Sequence, residues 1–221
     1  MTRQNHRTRI YQNFRTRIQR GEIGPEDRLV DTVIATELGV SRMPVREALM
    51  QLASEGYLEG TTRGFTLPSL SHTQIMEYFV LRRLLEPHAA ALAAQSRSEA
   101  QLAVMNEAVA DAVRTLESGD INLFYRASEI FRNTWLAAVP NGELRQTILR
   151  YLAQVQSVRL ATMNDRQAHQ IIVAGQQDLL DCFARRDAVG AGDRLLRFVL
   201  EAEQSYLRLR RAREDSQDAA R

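Results

Sequence analysis

The stretch "GVSRMPVREALMQLASEG", residues 39–56, decides the fold. Gly39 breaks what precedes it, Ser41 suits a helix cap, and Gly56 suits a stop. Between them, at about 100° per residue, Val45, Ala48, Leu49 and Leu52 fall on one face. Arg42 sits at the edge of that face. Met43, Arg46 and Met50 lie off it. Pro44, in the first turn, lacks an amide that would have no intrahelical acceptor anyway. Two arginines near a helix N-terminus suit phosphates and base edges. They also suit an ordinary solvated face, so the surroundings must decide.

Upstream, Ile10, Phe14 and Ile18 recur every four residues and mark an amphipathic helix ended by Gly21. "GEIGPEDRLV" reads as a loop with a short strand. Asp31 is expected to cap a helix running to Leu38. Downstream, "YLEG" and "FTLP" read as two strands joined around "TTRG", with Arg63 and Gly64 at the tip. Helix, strand, helix, tight turn, helix and hairpin make a helix-turn-helix with a wing, and this order favours DNA binding over the solvated face.

After residues 68–72 the strand signal vanishes. Six helices are expected, near 72–96, 98–118, 120–139, 141–163, 165–185 and 187–213. Ser71 with Gln74 and Ser98 with Gln101 have capping-box spacing. Asp120, Asn141, Asp165 and Asp187 are further caps. Pro87 is expected to kink or split the first helix. Helices with such short connections pack as an antiparallel bundle. The fold class is therefore mainly α: a winged helix-turn-helix at 1–68, a bundle of six to seven helices at 72–213, and a frayed polar tail at 214–221.

Composition excludes other classes. The chain has 221 residues, 44% hydrophobic and 25% charged, as in ordinary globular proteins. No apolar run reaches the ~18–20 residues of a membrane span, and "MTRQNHRTR" lacks the apolar core of a secretory signal. A soluble, cytoplasmic protein without membrane partners is expected. One cysteine, Cys182, rules out an internal disulfide or a cysteine-rich zinc site, and it reads as packing. No serine or cysteine has a histidine beside it in a nucleophilic motif, so no catalytic residue is assigned and no enzyme is expected. The net charge is only +2, yet residues 1–20 hold six arginines and no acid. The chain contains no lysine, and the planar fork of arginine suits phosphate and guanine.

The run "EIGPEDRLVDTVIATELGVSRMPVREALMQLASEGYLEGTTRGFTL" resembles the winged helix of the GntR family of bacterial transcription regulators, most specifically at "GVSRMPVREAL". The helical part resembles the ligand-binding domain of the FadR-type branch, the FCD domain. The resemblance implies a homodimer that binds a palindromic operator in double-stranded DNA. It places Arg42 and Arg46 on bases and phosphates, Arg63 and Gly64 at the wing contact, and Thr32 where some relatives carry a phosphate-gripping arginine; Met43, outward between the two arginines, is a further DNA-binding candidate.

Many FadR-type relatives hold a divalent metal with one aspartate and three histidines. Matching "ASEIFRNTW" and "GQQDLLDCFARRDA" to that pattern puts Ser128, Arg132, Gln176 and Phe198 at the four ligand positions. A hydroxyl, a guanidinium, an amide and a phenyl cannot hold zinc or nickel, so neither metal nor other cofactor is expected.

An inward guanidinium at Arg132 is costly unless something acidic meets it. Two readings follow. Glu86 or Glu129 forms a structural ion pair with it, or an organic-acid effector is held by Arg82 and Arg132 with Ser128 and Gln176 as neutral partners. A regulator without an effector, or a sensor of a larger apolar ligand such as an acyl thioester, are the alternatives at the level of function.

Overall fold

The computed structural model describes residues 3–19, 21–24, 26–163 and 165–218. In chain order the elements are α1 (Arg3–Gln19), α2 (Asp31–Leu38), α3 (Arg42–Ser54), β1 (Glu59–Thr61), β2 (Gly64–Thr66) and α4 (His72–Ser96). They continue with α5 (Glu99–Ser118), α6 (Ile121–Ala137), α7 (Gly142–Gln154), α8 (Gln156–Met163), α9 (Arg166–Ala184) and α10 (Ala188–Asp218). Two compact units form. One is Met1–Ser71 with Leu149–Ser157; the other is His72–Ile148 with Val158–Arg221.

In the first unit α3 packs on α1 and α2. Val45, Ala48, Leu49 and Leu52 are fully buried, as the periodicity predicts. They join Ile10, Phe14 and Ile18 in one core, where each large aliphatic side chain contributes about 1.5–3 kcal/mol. The tight turn between α2 and α3 rests on Gly39, whose φ of 62° and ψ of 36° are left-handed. That geometry lets Val40 N–H reach back to Ala35 O at 3.0 Å. β1 and β2 pair antiparallel, Glu59 opposite Thr66 and Thr61 opposite Gly64. Leu29 adds an isolated bridge to Phe65, the short strand expected in the preceding loop.

Two caps differ from expectation. Val30, not Asp31, occupies the N-cap of α2, and Asp31 is its first helical residue. Ser41 stands at the N-cap of α3 in extended backbone, but its side chain makes no capping bond. Instead of capping its own helix, Asp31 accepts from Arg42 at the start of α3.

In the second unit α4 packs on α10, α5 on α6 and α9, and α9 on α10. Ala89, Ala90, Ala93 and Ala94 of α4 are completely buried, and small side chains let helices approach closely. Ser98 and Gln101 form the full capping box. The side chains of Asp120, Asn141, Asp165 and Asp187 each accept an amide three residues on. Pro87 does not split α4, which runs through it unbroken.

The expected helix 141–163 is instead two, α7 and α8, and its middle stretch Leu149–Ser157 belongs to the first unit. Ala153 is part of that unit's core. The tail also differs: α10 continues to Asp218, helped by an i,i+4 pair of Arg210 and Glu214 at 2.7 Å, and residues 219–221 lie outside the described residues.

Candidate functional site

The first candidate site is the outer face of α2, α3 and the hairpin. With the apolar stripe of α3 buried, the same periodicity turns Arg42, Met43, Arg46 and Met50 outward, and all four are exposed. Thr32 is exposed on α2. Arg42 Nε donates to Asp31 Oδ2 at 2.9 Å, tying the first residue of α3 to the first residue of α2. Arg46 makes no ion pair with any described residue.

At the hairpin, Thr61 Oγ1 donates to Gly64 O at 2.9 Å and accepts Arg63 N–H at 3.2 Å, so one hydroxyl closes the two-residue tip. Arg63 is exposed there. Gly64 has φ of 123°, and a Cβ on it would sit 2.6 Å from Leu29 O. Only glycine fits where this strand meets Leu29.

The second candidate site is a charged cluster in the helical unit. On α4, Arg82 Nε donates to Glu86 Oε1 at 2.8 Å, one turn apart. Glu86 is buried and Arg82 half-buried, with its guanidinium over the Phe79 ring. On α6, Ser128 and Arg132 are one turn apart on the inward stripe, with Glu129 beside them; Ser128 is 1% exposed.

Besides its packing on α5 and α4, α6 makes ring contacts to α9. Phe124 meets His169, and Phe131 meets Phe183, both on α9. Ser128 lies between the first members of these pairs, and Gln176, 4% exposed, lies midway between the second. Ser128 Oγ and Gln176 Oε1 are buried without a hydrogen-bond partner, as is Glu129 Oε1. Native interiors leave few such atoms.

Arg159, on α8, is the member that sequence reasoning missed. Burial drives its pKa well below the ordinary arginine value, and the positive charges of Arg132 and Arg82 push it the same way, against the pull of Glu129 and Glu86. All five groups thus share one electrostatic neighbourhood. Burial also raises the Tyr125 pKa, opposed by Arg159, and Tyr125 OH donates to Leu160 O at 3.3 Å. Arg159 thus feels the charges of two further guanidiniums and two carboxylates. Nothing local marks Arg159 in the sequence, because α8 is short and its inward face is set by distant helices.

The metal pattern is not met. Phe198 packs where Gly175 leaves room and lies under the Arg194 guanidinium. Among the described residues no group of three or more His, Cys, Asp or Glu side chains could hold a metal ion. The donor set of Ser128, Arg132 and Gln176 does not fit a divalent cation. Among the described residues no helix is long and apolar enough to cross a membrane.

A winged helix-turn-helix with outward arginines, carried with an all-helical unit enclosing a charged cluster, defines a DNA-binding transcriptional regulator. Residues 6–66 match the bacterial regulatory proteins of the gntR family, and residues 77–218 match the FCD domain. The chain belongs to the GntR family, in the FadR branch that carries an FCD domain.

Its curated relatives include two regulators. The Nta operon transcriptional regulator of Aminobacter aminovorans is 29% identical over 146 residues, 65% of this chain and 68% of its own. The HTH-type transcriptional regulator McbR of Escherichia coli (strain K12) is 33% identical over 113 residues, and the match spans about half of each chain, 51%. The solved structure of E. coli McbR/YncC shares the fold, with a TM-score of 0.80 at 22% identity over 92% of this chain and 98% of that one.

Proposed function

We propose that this chain is a cytoplasmic repressor that binds a palindromic operator as a homodimer and releases or tightens it in response to a small organic acid, without a metal. DNA is read by Arg42, Met43 and Arg46 of α3, with Thr32 of α2 and with Arg63 and Gly64 of the wing. The acid is held by Arg82, Arg132 and Arg159, with Ser128 and Gln176 as neutral partners. No catalytic step is assigned to any residue.

The observation that carries the effector reading is the pair of buried, orphaned acceptors, Ser128 Oγ and Gln176 Oε1, in the unit that holds these arginines. A ligand carboxylate would meet the guanidiniums whose charges bear on the buried Arg159. Gln176 Oε1 lacks a donor, so the ligand should bring a hydroxyl or amino group as well. A purely structural ion-pair network explains the arginines but leaves Ser128 Oγ and Gln176 Oε1 unsatisfied.

The test is thermal-shift screening of hydroxy, keto and amino acids against wild type, Arg132→Ala and Arg159→Gln, with and without EDTA. The expected hit stabilises wild type in both buffers and stabilises neither variant. Equal stabilisation of all three proteins eliminates the anion anchor, and stabilisation lost with EDTA restores a metal. Stabilisation by acyl thioesters alone would favour a larger apolar ligand. If the acid changes DNA affinity, DNA must change acid affinity by the same factor.

A further inference from the structure

We propose that Asp31 is a positioning residue that makes Arg42 a reader of base edges rather than a clamp on phosphate. The inference rests on the reading that α3 enters the major groove, and it assigns different work to two arginines that look alike in sequence. Arg42 and Arg46 are one turn apart on the same outward face. Only Arg42 is tied to a carboxylate, through Nε to Asp31 Oδ2 at 2.9 Å.

The two members of that pair differ in exposure. The Asp31 side chain is 12% accessible, whereas that of Arg42 is 56% accessible. The acid is the fixed member, seated in the first turn of α2, where the helix dipole favours negative charge. The guanidinium is the presented member. With Nε engaged, the free edge of the fork is its terminal Nη1/Nη2 pair, and this edge can still donate two parallel bonds to guanine O6 and N7.

Elementary electrostatics and chain entropy then separate the two arginines. Asp31 removes conformational freedom from a long side chain before DNA arrives, which lowers the ordering cost of a specific contact. Asp31 also offsets the charge of Arg42, so the pair offers a phosphate little net attraction. Arg46, with no ion pair among the described residues, keeps its full charge for the backbone. Arg42 then contributes mainly to specificity, and Arg46 to both affinity and its salt dependence.

The experiment measures binding to a duplex selected in vitro by the wild-type protein and to a scrambled duplex, across a salt series. The variants are Asp31→Ala, Asp31→Asn, Asp31→Glu, Arg42→Ala, Arg46→Ala and the double variant Asp31→Ala/Arg42→Ala. Circular dichroism and thermal midpoints exclude unfolding, and the isosteric Asp31→Asn serves if the alanine variant fails to fold.

For Asp31→Ala and Asp31→Asn, affinity for the selected duplex is expected to fall about tenfold, the scale of one bidentate base contact. Their affinity for scrambled DNA is expected to hold or rise, with the log–log salt slope steeper by about one. Asp31→Glu should restore part of the preference. The double variant should be no worse than Arg42→Ala alone, since the acid acts through that arginine.

Equal loss on both duplexes, an unchanged slope, or independent addition of the two losses overturns the proposal and leaves Asp31 a structural residue. A different result breaks the underlying reading: Arg42→Ala and Arg46→Ala both binding the selected duplex as wild type does.

Discussion

Gln156 donates from Nε2 to the main-chain carbonyl of Gln19 at 3.0 Å. The acceptor is the last residue of α1, where helix carbonyls lack intrahelical donors, and Gln156 is buried. Three residues further along α8 stands Arg159 of the charged cluster. One short helix therefore gives a residue to the winged unit and another to the proposed effector site. Gln156→Ala should cost about 1 kcal/mol by leaving a half-buried carbonyl without its donor. Urea denaturation followed by circular dichroism checks this, and an unchanged midpoint would show that water replaces the bond without loss.

Arg46→Ala should weaken binding to a specific operator at least about tenfold, through a lost phosphate contact, while leaving stability within about half a kcal/mol of wild type. The side chain is exposed, so its removal opens no cavity. Gel-shift titration gives the affinity. An unaltered titration would mean that α3 does not meet the duplex with this face.

Raising the pH should loosen the winged unit through Tyr11. Burial first, and then the bond from Tyr11 OH to Glu55 Oε2 at 2.5 Å, push its pKa up from 10.0 to about 12. The folded protein keeps a proton that the unfolded chain releases from about pH 10 upward. The stabilisation is complete below pH 10 and is lost progressively between pH 10 and 12, by about 1.4 kcal/mol for every pH unit crossed. Thermal midpoints of wild type should fall faster over that interval than those of Tyr11→Phe. Parallel curves would remove Tyr11 as the cause.

Gly64→Ala should damage the wing. Its φ of 123° disfavours any side chain, and the new Cβ would collide with Leu29 O. That carbonyl accepts Phe65 N–H at 2.9 Å, while Leu29 N–H reaches Phe65 O at 2.8 Å. Faster hydrogen exchange at Leu29 and Phe65 and a loss of about 1–3 kcal/mol are expected. Wild-type exchange at these two amides in the variant would refute the close-approach account.

Arg159→Gln should raise the thermal midpoint of the protein without effector. Burial and the charges of Arg132 and Arg82 disfavour its cation in the fold, and glutamine removes that cation while keeping a polar head. Differential scanning calorimetry checks it. A lowered midpoint would mean that Glu129 and Glu86 more than offset the repulsion.

The winged half is legible almost residue by residue. Its elements are short, and their faces follow from local spacing: Val45, Ala48, Leu49 and Leu52 have to go inward, so Arg42 and Arg46 have to go outward. Gly39 and the hairpin tip carry their own turn chemistry. An acid at a helix start reads as a cap, and Asp31 is no exception. Its actual partner, eleven residues later, depends on how the turn at Gly39 sets α2 against α3.

The helical half is legible as helices and only partly as an assembly. Spacing puts Ser128, Arg132 and Gln176 on inward stripes, and Ser128 and Gln176 are buried in the structure. Spacing carries no sign that Leu149–Ser157 leaves the bundle for the other unit, or that Arg159 is buried under the charges of Arg132 and Arg82. Periodicity along a chain states which side of a helix is apolar. Which distant side chains share the buried space is settled by packing between helices far apart in sequence, because a desolvated charge answers to whatever lies within a few ångströms and not to its neighbours along the backbone.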